Sequence, residues 1–322
     1  MRVIRFENRS VLEVGIPEPA LGPGEALVRV LMAGICATDI AIFNGYADFR
    51  GIPGHEFAGV VEKCPDRPEL EGKRVVADIN FGCGRCADEK HCKNRSVLGI
   101  RNHDGAFAQY CAIPAKNLYP VPEEIETRQA VFAEPLAAAL AVTCRVPIDS
   151  GSRIAVLGDG CLGILCAAGL RQYARSVTLL GRHPAKMAAA EKQGINIFPV
   201  DTHAGPEDAV SRLGTFDITV DATGNADGIN WCIHLTRPKG HIVVKTTAVE
   251  PSKIDLAAIV VNELSLMGSR CGDLPLALNF LQAGKINVEP LVSATYPFSE
   301  FKRAFSRAME KETLKILIDF SC

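Results

Sequence analysis

The sequence predicts an α/β chain in two parts: a β-rich, barrel-like unit and then a doubly wound parallel sheet. Three observations carry this expectation. Residues 1–120 break into many short strand-like runs separated by turn residues. From about residue 128, helix-length segments alternate with continuous apolar runs. The stretch "VLGDGCLG" then places Gly158-x-Gly160-x-x-Gly163 where a strand gives way to a helix.

In the first part, "ALVRVLMAGI", "GHEFAGVVEKC", "KRVVADIN" and "AFAQYCAIPA" read as strands bounded by Gly, Pro and Asn clusters. In the second part, "SRIAVLGDG" is strand then turn, "CLGILCAAGLRQYA" helix, "SVTLLG" strand and "PAKMAAAEKQG" helix. "FDITVDATG" and "GHIVVKTTA" follow as strands. Buried strands alternating with helices imply a parallel sheet covered on both faces. The tail, "EFKRAFSRAMEKETLKILIDF", reads as an amphipathic helix followed by a strand. No internal repeat interrupts this order.

The chain has 322 residues, 48% of them apolar and 22% charged, enough for two cores. A formal charge of −2 gives no field that would gather nucleic acid or anionic lipid. The start, "MRVIRFENRS", lacks an apolar signal core, and "AVFAEPLAAALAV" is too short to span a bilayer and carries Glu134. A cytoplasmic protein without membrane or nucleic-acid partners is expected. Of the twelve cysteines, Cys144, Cys161, Cys166 and Cys232 lie in apolar surroundings and read as reduced core residues. Cys36 and the group Cys83, Cys86 and Cys92 need another explanation.

The glycine loop has a physical reading. Gly158 permits the tight turn, Gly160 lets a pyrophosphate approach the backbone, and Gly163 lets the helix pack on the strand. The helix N-terminus presents free N–H groups to the phosphates. A glycine turn in an unrelated α/β domain is the bland alternative. At the end of the next strand, "LLGRHPAK" offers Gly181, Arg182, His183 and Lys186 where an NAD site carries an acid for the ribose hydroxyls. Gly181 removes a carboxylate that would repel a 2′-phosphate, and Arg182 can bind that phosphate bidentately. NADP(H) is therefore expected in preference to NAD(H), unless Arg182 and Lys186 are simply solvated. The missing acid also argues against an S-adenosylmethionine site.

Upstream, "AGICATDIAIFNG" holds Cys36, Thr38 and Asp39, "GIPGHEFAGVV" holds His55 and Glu56, and "VFAEPLAAAL" holds Glu134. With "CGRC", "DGAFAQY", "AEPLA", "VLGDGCLG" and "DATG", these stretches make nearly the whole chain resemble the zinc-dependent medium-chain dehydrogenase/reductase family of alcohol and polyol dehydrogenases. The resemblance implies a GroES-like β-barrel catalytic domain, residues 1–125 and 286–322, and a Rossmann coenzyme domain, residues 126–285. It implies Cys36, His55 and Glu134 as ligands of a catalytic zinc, with Glu56 coordinating directly or exchanging with water. Thr38 would pass the alcohol proton outwards, and Asp39 would orient the ring of His55. Leu162 in the glycine loop, and Ala222, Thr223 and Gly224 of "DATG", would border the dinucleotide. One departure is Ala41, which stands where some members carry a proton-relaying histidine.

The implied reaction is hydride transfer between NADP(H), or less favourably NAD(H), and a small alcohol or polyol or its carbonyl form. The alternatives are a non-catalytic nucleotide-binding scaffold or sensor, or a member acting on an activated alkene. Ile40, Ile42, Phe43, Tyr46 and Phe49 would stand near the metal, and His103 on the loop "NHDGAF" reads as solvated. A homodimer or homotetramer is expected through the apolar run after "GHIVVKTTAVE".

The family's structural-zinc lobe carries four cysteines. "CGRCADEKHC" supplies only Cys83, Cys86 and Cys92 over a shortened loop. Either Asp88, Glu89 or His91 completes a tetrahedral zinc site, or the lobe is empty with reduced thiols.

Overall fold

The computed structural model describes residues 1–7, 10–45, 49–201, 203–248 and 250–321; Tyr46 lies outside them. The chain forms two compact units. One comprises Met1–Glu134, Leu274–Gly284 and Val292–Cys322, the other Pro135–Asp273 and Lys285–Leu291. Residues 286–291, expected in the first part, stand with the second, while 274–284 and 126–134, expected in the second, stand with the first. There Thr127 Oγ1 accepts a hydrogen bond from the Arg74 guanidinium at 3.3 Å.

The first unit is built on a mixed seven-stranded sheet. Along it run Val292–Pro297, Lys315–Asp319, Glu25–Ile35, Glu56–Lys63, Arg74–Ala77 and Leu118–Pro120, and Tyr110–Pro114 also pairs with Glu25–Ile35. Strand Glu25–Ile35 alternates half-buried and buried residues along most of its length, the period-two signature of a sheet with one covered face. Its partners fix a register that matters for the site: Gly34 stands opposite Glu56 on one side and Leu317 on the other. The tail behaves as expected. Helix Phe301–Ala308 buries Phe301, Ala304 and Phe305, the i, i+3, i+4 spacing of one helical face. The Phe305 ring meets Phe6 and Phe107 edge-on, with centroids 5.1 and 5.5 Å apart.

The second unit holds a six-stranded, wholly parallel sheet. Its order is Asn196–Pro199, Ser176–Gly181, Arg153–Leu157, Phe216–Asp221, Thr236–Val244 and Ser265–Gly268. This is the doubly wound order, with the switch point between Arg153–Leu157 and Phe216–Asp221. Ile154, Ala155 and Val156 are buried, as a strand covered on both faces requires.

Cys166 and Cys232 are buried in this unit. Two readings are corrected: Cys144 is exposed and Cys161 half-buried. Each sits at a helix terminus, Cys161 opening Cys161–Leu170 and Cys144 closing the 3₁₀ turn Ala141–Cys144. Apolar sequence neighbours do not bury a residue there. No helix among the described residues is long and apolar enough to cross a membrane.

Candidate functional site

In the first unit, one ligand atom each from Cys36, His55 and Glu56 lies within 4.8 Å of the others. Strand Glu25–Ile35 ends beside strand Glu56–Lys63, which brings Cys36 next to the His55–Glu56 pair. His55 and Glu56 are buried, whereas Cys36 is half-exposed, leaving one side approachable. His55 Nδ1 is buried without a hydrogen-bond partner. This donor set fits zinc, which takes sulfur, nitrogen and oxygen ligands and in reactive sites keeps a position open. Burial favours the neutral imidazole, but the neighbouring Asp39 and Cys36 outweigh it and hold the His55 pKa well above the ordinary histidine value.

Asp39 is fully buried and ties the two ligand segments together. Its carboxylate accepts from the backbone N–H of Cys36 at 2.8 Å and of Gly54 at 3.2 Å. His55 Nδ1 stands 3.5 Å away, close enough for charge attraction but beyond a well-formed hydrogen bond. Asp39 thus places the backbone on either side of the site more firmly than it orients the ring. Gly54 has φ +98, and a Cβ there would lie 2.7 Å from the Phe107 ring. The loop that carries Phe107 is laced to it, with Ala106 N donating to Gly54 O at 2.8 Å.

Glu56 carries a second attachment. Lys315 Nζ donates to Glu56 Oε2, and to Ile35 O at 3.3 Å, in a site where both side chains are buried. The pair forms because Gly34 lies between them in the sheet: a Cβ there would stand 2.8 Å from Glu56 Oε2 and 3.2 Å from Lys315 Cδ. Sequence reasoning missed Lys315. Its signal was a cation inside the apolar strand run "LKILID".

Glu134 is half-buried in the first turn of helix Ala133–Leu140, and the three-residue cluster does not include it. Thr38 is half-buried, and its Oγ1 lies 3.7 Å from Cys36 Sγ as a hydrogen-bond acceptor. Helix Ala37–Phe43 spends its apolar side chains on packing. Ile42 is buried, Ile40 packs on the core, and Phe43 meets Phe6 edge-on at 5.4 Å. Phe49 lies against Gly51, where a Cβ would stand 2.6 Å from its ring. His103 is half-buried, stacking edge-on against Phe81 at 4.7 Å.

In the second unit the predicted dinucleotide residues converge at the switch point. Gly158 has φ +115, and a Cβ on it would lie 2.5 Å from Ala222 O. A Cβ on Gly163 would collide with Gly158 O, whereas Gly160 faces open space. That is the cradle a pyrophosphate needs: tight beneath the turn and open above it. Thr223 and Gly224 are pinned alongside, Thr223 N donating to Asp221 Oδ1 at 3.0 Å and Gly224 N to Thr246 Oγ1 at 3.0 Å. Leu162 and Lys186 are half-buried, and Arg182 is exposed.

At Gly181 the expectation of a corner free of carboxylate is corrected. Asp159, in the middle of the glycine loop, fills it. A Cβ built on Gly181 would lie 2.6 Å from both Asp159 Cβ and Oδ2. Asp159 Oδ2 accepts from the backbone N–H of Arg182 at 2.6 Å and of His183 at 2.7 Å. The His183 ring Nδ1 stands 3.0 Å from Oδ1. Burial raises the Asp159 pKa, yet the bonds from His183 and the backbone lower it further, so it stands below the ordinary carboxylate value.

The cysteine lobe gathers its three thiols. Cys83, Cys86 and Cys92 offer ligand atoms within 4.8 Å, with Cys83 and Cys86 Sγ 3.7 Å apart. Hydrogen bonds focused on Cys92, from the backbone of Cys83 first, bring its thiol down to about 7. Those that Cys86 shares with Cys92 and Cys83 push the Cys86 thiol up to about 11. The three fourth-ligand candidates have other engagements. Asp88 Oδ2 lies 2.8 Å from His91 Nδ1, and Glu89 pairs with Lys116 at 2.5 Å.

Comparison with known proteins matches both parts of the chain. Residues 22–123 match the alcohol dehydrogenase GroES-like domain, and residues 160–283 match the zinc-binding dehydrogenase domain. The chain is 29% identical to the erythritol/L-threitol dehydrogenase of Mycolicibacterium smegmatis, over 94% of this chain and 92% of that protein. It superimposes on the rspB alcohol dehydrogenase of E. coli CFT073 in complex with NADH with a TM-score of 0.91, at 27% identity and 99% coverage of both chains. A zinc-binding dehydrogenase from Sinorhizobium meliloti 1021, bound to NADP, gives a TM-score of 0.87 at 29% identity, again covering 99% of both chains. With both of its domains matched and a thiol–imidazole–carboxylate cluster in the first, the chain belongs to the zinc-dependent medium-chain dehydrogenase/reductase family.

Proposed function

We propose that the chain transfers a hydride between a nicotinamide dinucleotide and a small alcohol or polyol, or the corresponding aldehyde or ketone. The observation that carries this reading is the convergence of Cys36, His55 and Glu56 in a fold with an intact phosphate cradle. The similarity to an erythritol/L-threitol dehydrogenase supports a hydroxylated substrate.

When bound, zinc supplies a Lewis acid for the substrate oxygen, and the dinucleotide gives or takes the hydride. The chain's own residues do the rest. Cys36 and His55 would hold the metal from two segments that Asp39 keeps in place. Glu56, restrained by Lys315, would be a third donor, and Glu134, outside the three-residue cluster, is a further candidate. Thr38 Oγ1 is the first acceptor for the alcohol proton. Ala41, three residues on, offers no side chain to carry that proton further. The buried surroundings of His55 and Glu56 exclude bulk water and strengthen these interactions. Cys83, Cys86 and Cys92 form a structural clip. The expected preference for NADP(H) has the exposed Arg182 in its favour and Asp159 against it.

A cytoplasmic location fits this reading, since both clusters need reduced thiols. So does a homodimer. Leu256, Val260 and Val261 are 68%, 74% and 80% exposed beside the edge strand Ser265–Gly268. Light scattering showing a monomer at micromolar concentration would remove the dimer.

The test is a panel of alcohols, polyols and carbonyl compounds, read by dinucleotide absorbance with both NADH and NADPH and paired with zinc analysis. We expect turnover that depends on zinc. Protein that binds dinucleotide, never holds zinc and behaves identically as Cys36→Ser would sink the dehydrogenase reading.

A further inference from the structure

We infer that Asp159 selects the unphosphorylated dinucleotide, NAD(H), by supplying from the glycine loop the carboxylate that the strand end at Gly181 lacks. The inference rests on the dehydrogenase reading and deepens it by naming the cofactor form.

Three observations carry it. First, the space beside Gly181 is filled: a Cβ there would lie 2.6 Å from Asp159 Cβ and Oδ2. An acidic side chain on the strand would project into the same volume, so the carboxylate is present, donated by a different segment. Second, the two backbone donors at this strand end, the N–H groups of Arg182 and His183, already point at Asp159 Oδ2 at 2.6 and 2.7 Å. A 2′-phosphate would want those donors and would find a carboxylate on them. Third, the position is fixed. Asp159 is 7% exposed and His183 Nδ1 braces Oδ1 at 3.0 Å, so the acid cannot swing away without breaking three bonds.

The chemistry then separates the two cofactors. An ionised carboxylate has about four acceptor positions, and three donors engage it here, the His183 ring shared between both oxygens, leaving capacity on Oδ1 for a ribose hydroxyl. A ribose 2′-hydroxyl donates a hydrogen bond. A 2′-phosphate has negative charge and nothing to donate, and like charges in a shared site repel by several kcal/mol. Arg182 alone does not cancel this, because its guanidinium is exposed and solvated whereas Asp159 is buried in the corner.

The experiment is a binding measurement on the full-length protein. NADH and NADPH are titrated by nucleotide fluorescence, and the bound NADH is then competed with ADP and with 2′,5′-ADP. We expect wild type to bind NADH at least about tenfold more tightly than NADPH, and ADP to compete better than 2′,5′-ADP. Asp159→Asn and Asp159→Gly should each move the NADH-to-NADPH ratio of dissociation constants toward NADPH by about tenfold or more. Adding Arg182→Ala to Asp159→Gly should take that gain away. The wild-type titration and competition need no variant, so a folding defect in Asp159→Gly cannot mask the answer. Wild type preferring NADPH, or a ratio unmoved in Asp159→Asn, would overturn the role of Asp159 and leave the dehydrogenase reading standing. Failure to bind either dinucleotide would overturn both.

Discussion

Two clusters of metal-type donors in the same unit invite comparison. Cys83, Cys86 and Cys92 are dense in sequence and mostly at the surface, with Cys83 and Cys86 exposed. Cys36, His55 and Glu56 are spread over two strand ends and mostly buried. The first cluster is held by a short loop. The second is braced by residues outside the cluster: Asp39 on the two backbone segments, Lys315 on Glu56. The contrast is the one expected between a clip and a reactive centre. A structural site needs only closed ligands, whereas a reactive one needs ligands fixed from behind so that an open side can face substrate.

The largest effect that would break this comparison is at the buried cluster. Cys36→Ser or His55→Ala should lower turnover on the order of 10³-fold, since a lost Lewis acid removes several kcal/mol of transition-state stabilisation. Steady-state kinetics with zinc analysis checks this, and a loss below tenfold would move the chemistry elsewhere.

Next in size is Lys315→Met, which leaves Glu56 as an unpaired charge in a buried site. We expect about 3–5 kcal/mol of destabilisation, read as a lower midpoint in urea, and recovery of much of it in Lys315→Met with Glu56→Gln. Equal stability of the single and double variants would show that the ion pair is not what holds this corner.

Asp39→Asn should weaken zinc binding by roughly 10–100-fold in chelator competition. An unchanged affinity would mean that the backbone segments hold themselves. The smallest functional effect belongs to the lobe. Cys83→Ser should leave turnover within about twofold, because a closed structural site adds to folding and not to chemistry. Its zinc content should fall from two per chain to one. A wild-type ratio of one zinc per chain would show the lobe to be empty.

Much of the fold was legible because its signals are local. The alternation in "ALVRVLMAGI", the helical spacing of Phe301, Ala304 and Phe305, and the strand–glycine–helix order of "VLGDGCLG" each lie within a dozen residues. The errors came where a local pattern was asked a global question. Apolar neighbours of Cys144 and Cys161 said nothing of their places at helix ends. Glu134, joined to the cluster by resemblance and not by pattern, is a separate case: it stands outside the three-residue group and remains a proposed ligand.

The two-part architecture and the phosphate cradle were readable from local sequence pattern, and family resemblance pointed to Cys36, His55 and Glu134 with Glu56 beside them; the fold brings Cys36, His55 and Glu56 together. Tertiary structure alone decided what stands behind them. Asp159 meets the backbone of Arg182 across 23 residues, Asp39 reaches Gly54 across 15, and Lys315 reaches Glu56 across 259. The physical reason is the same in each case. Strand pairing sets which distant backbones become neighbours, and a glycine at Gly181 or Gly34 leaves the gap through which a charged side chain from elsewhere can enter. In the sequence such a glycine reads as a missing group. In the fold it marks the place another residue fills.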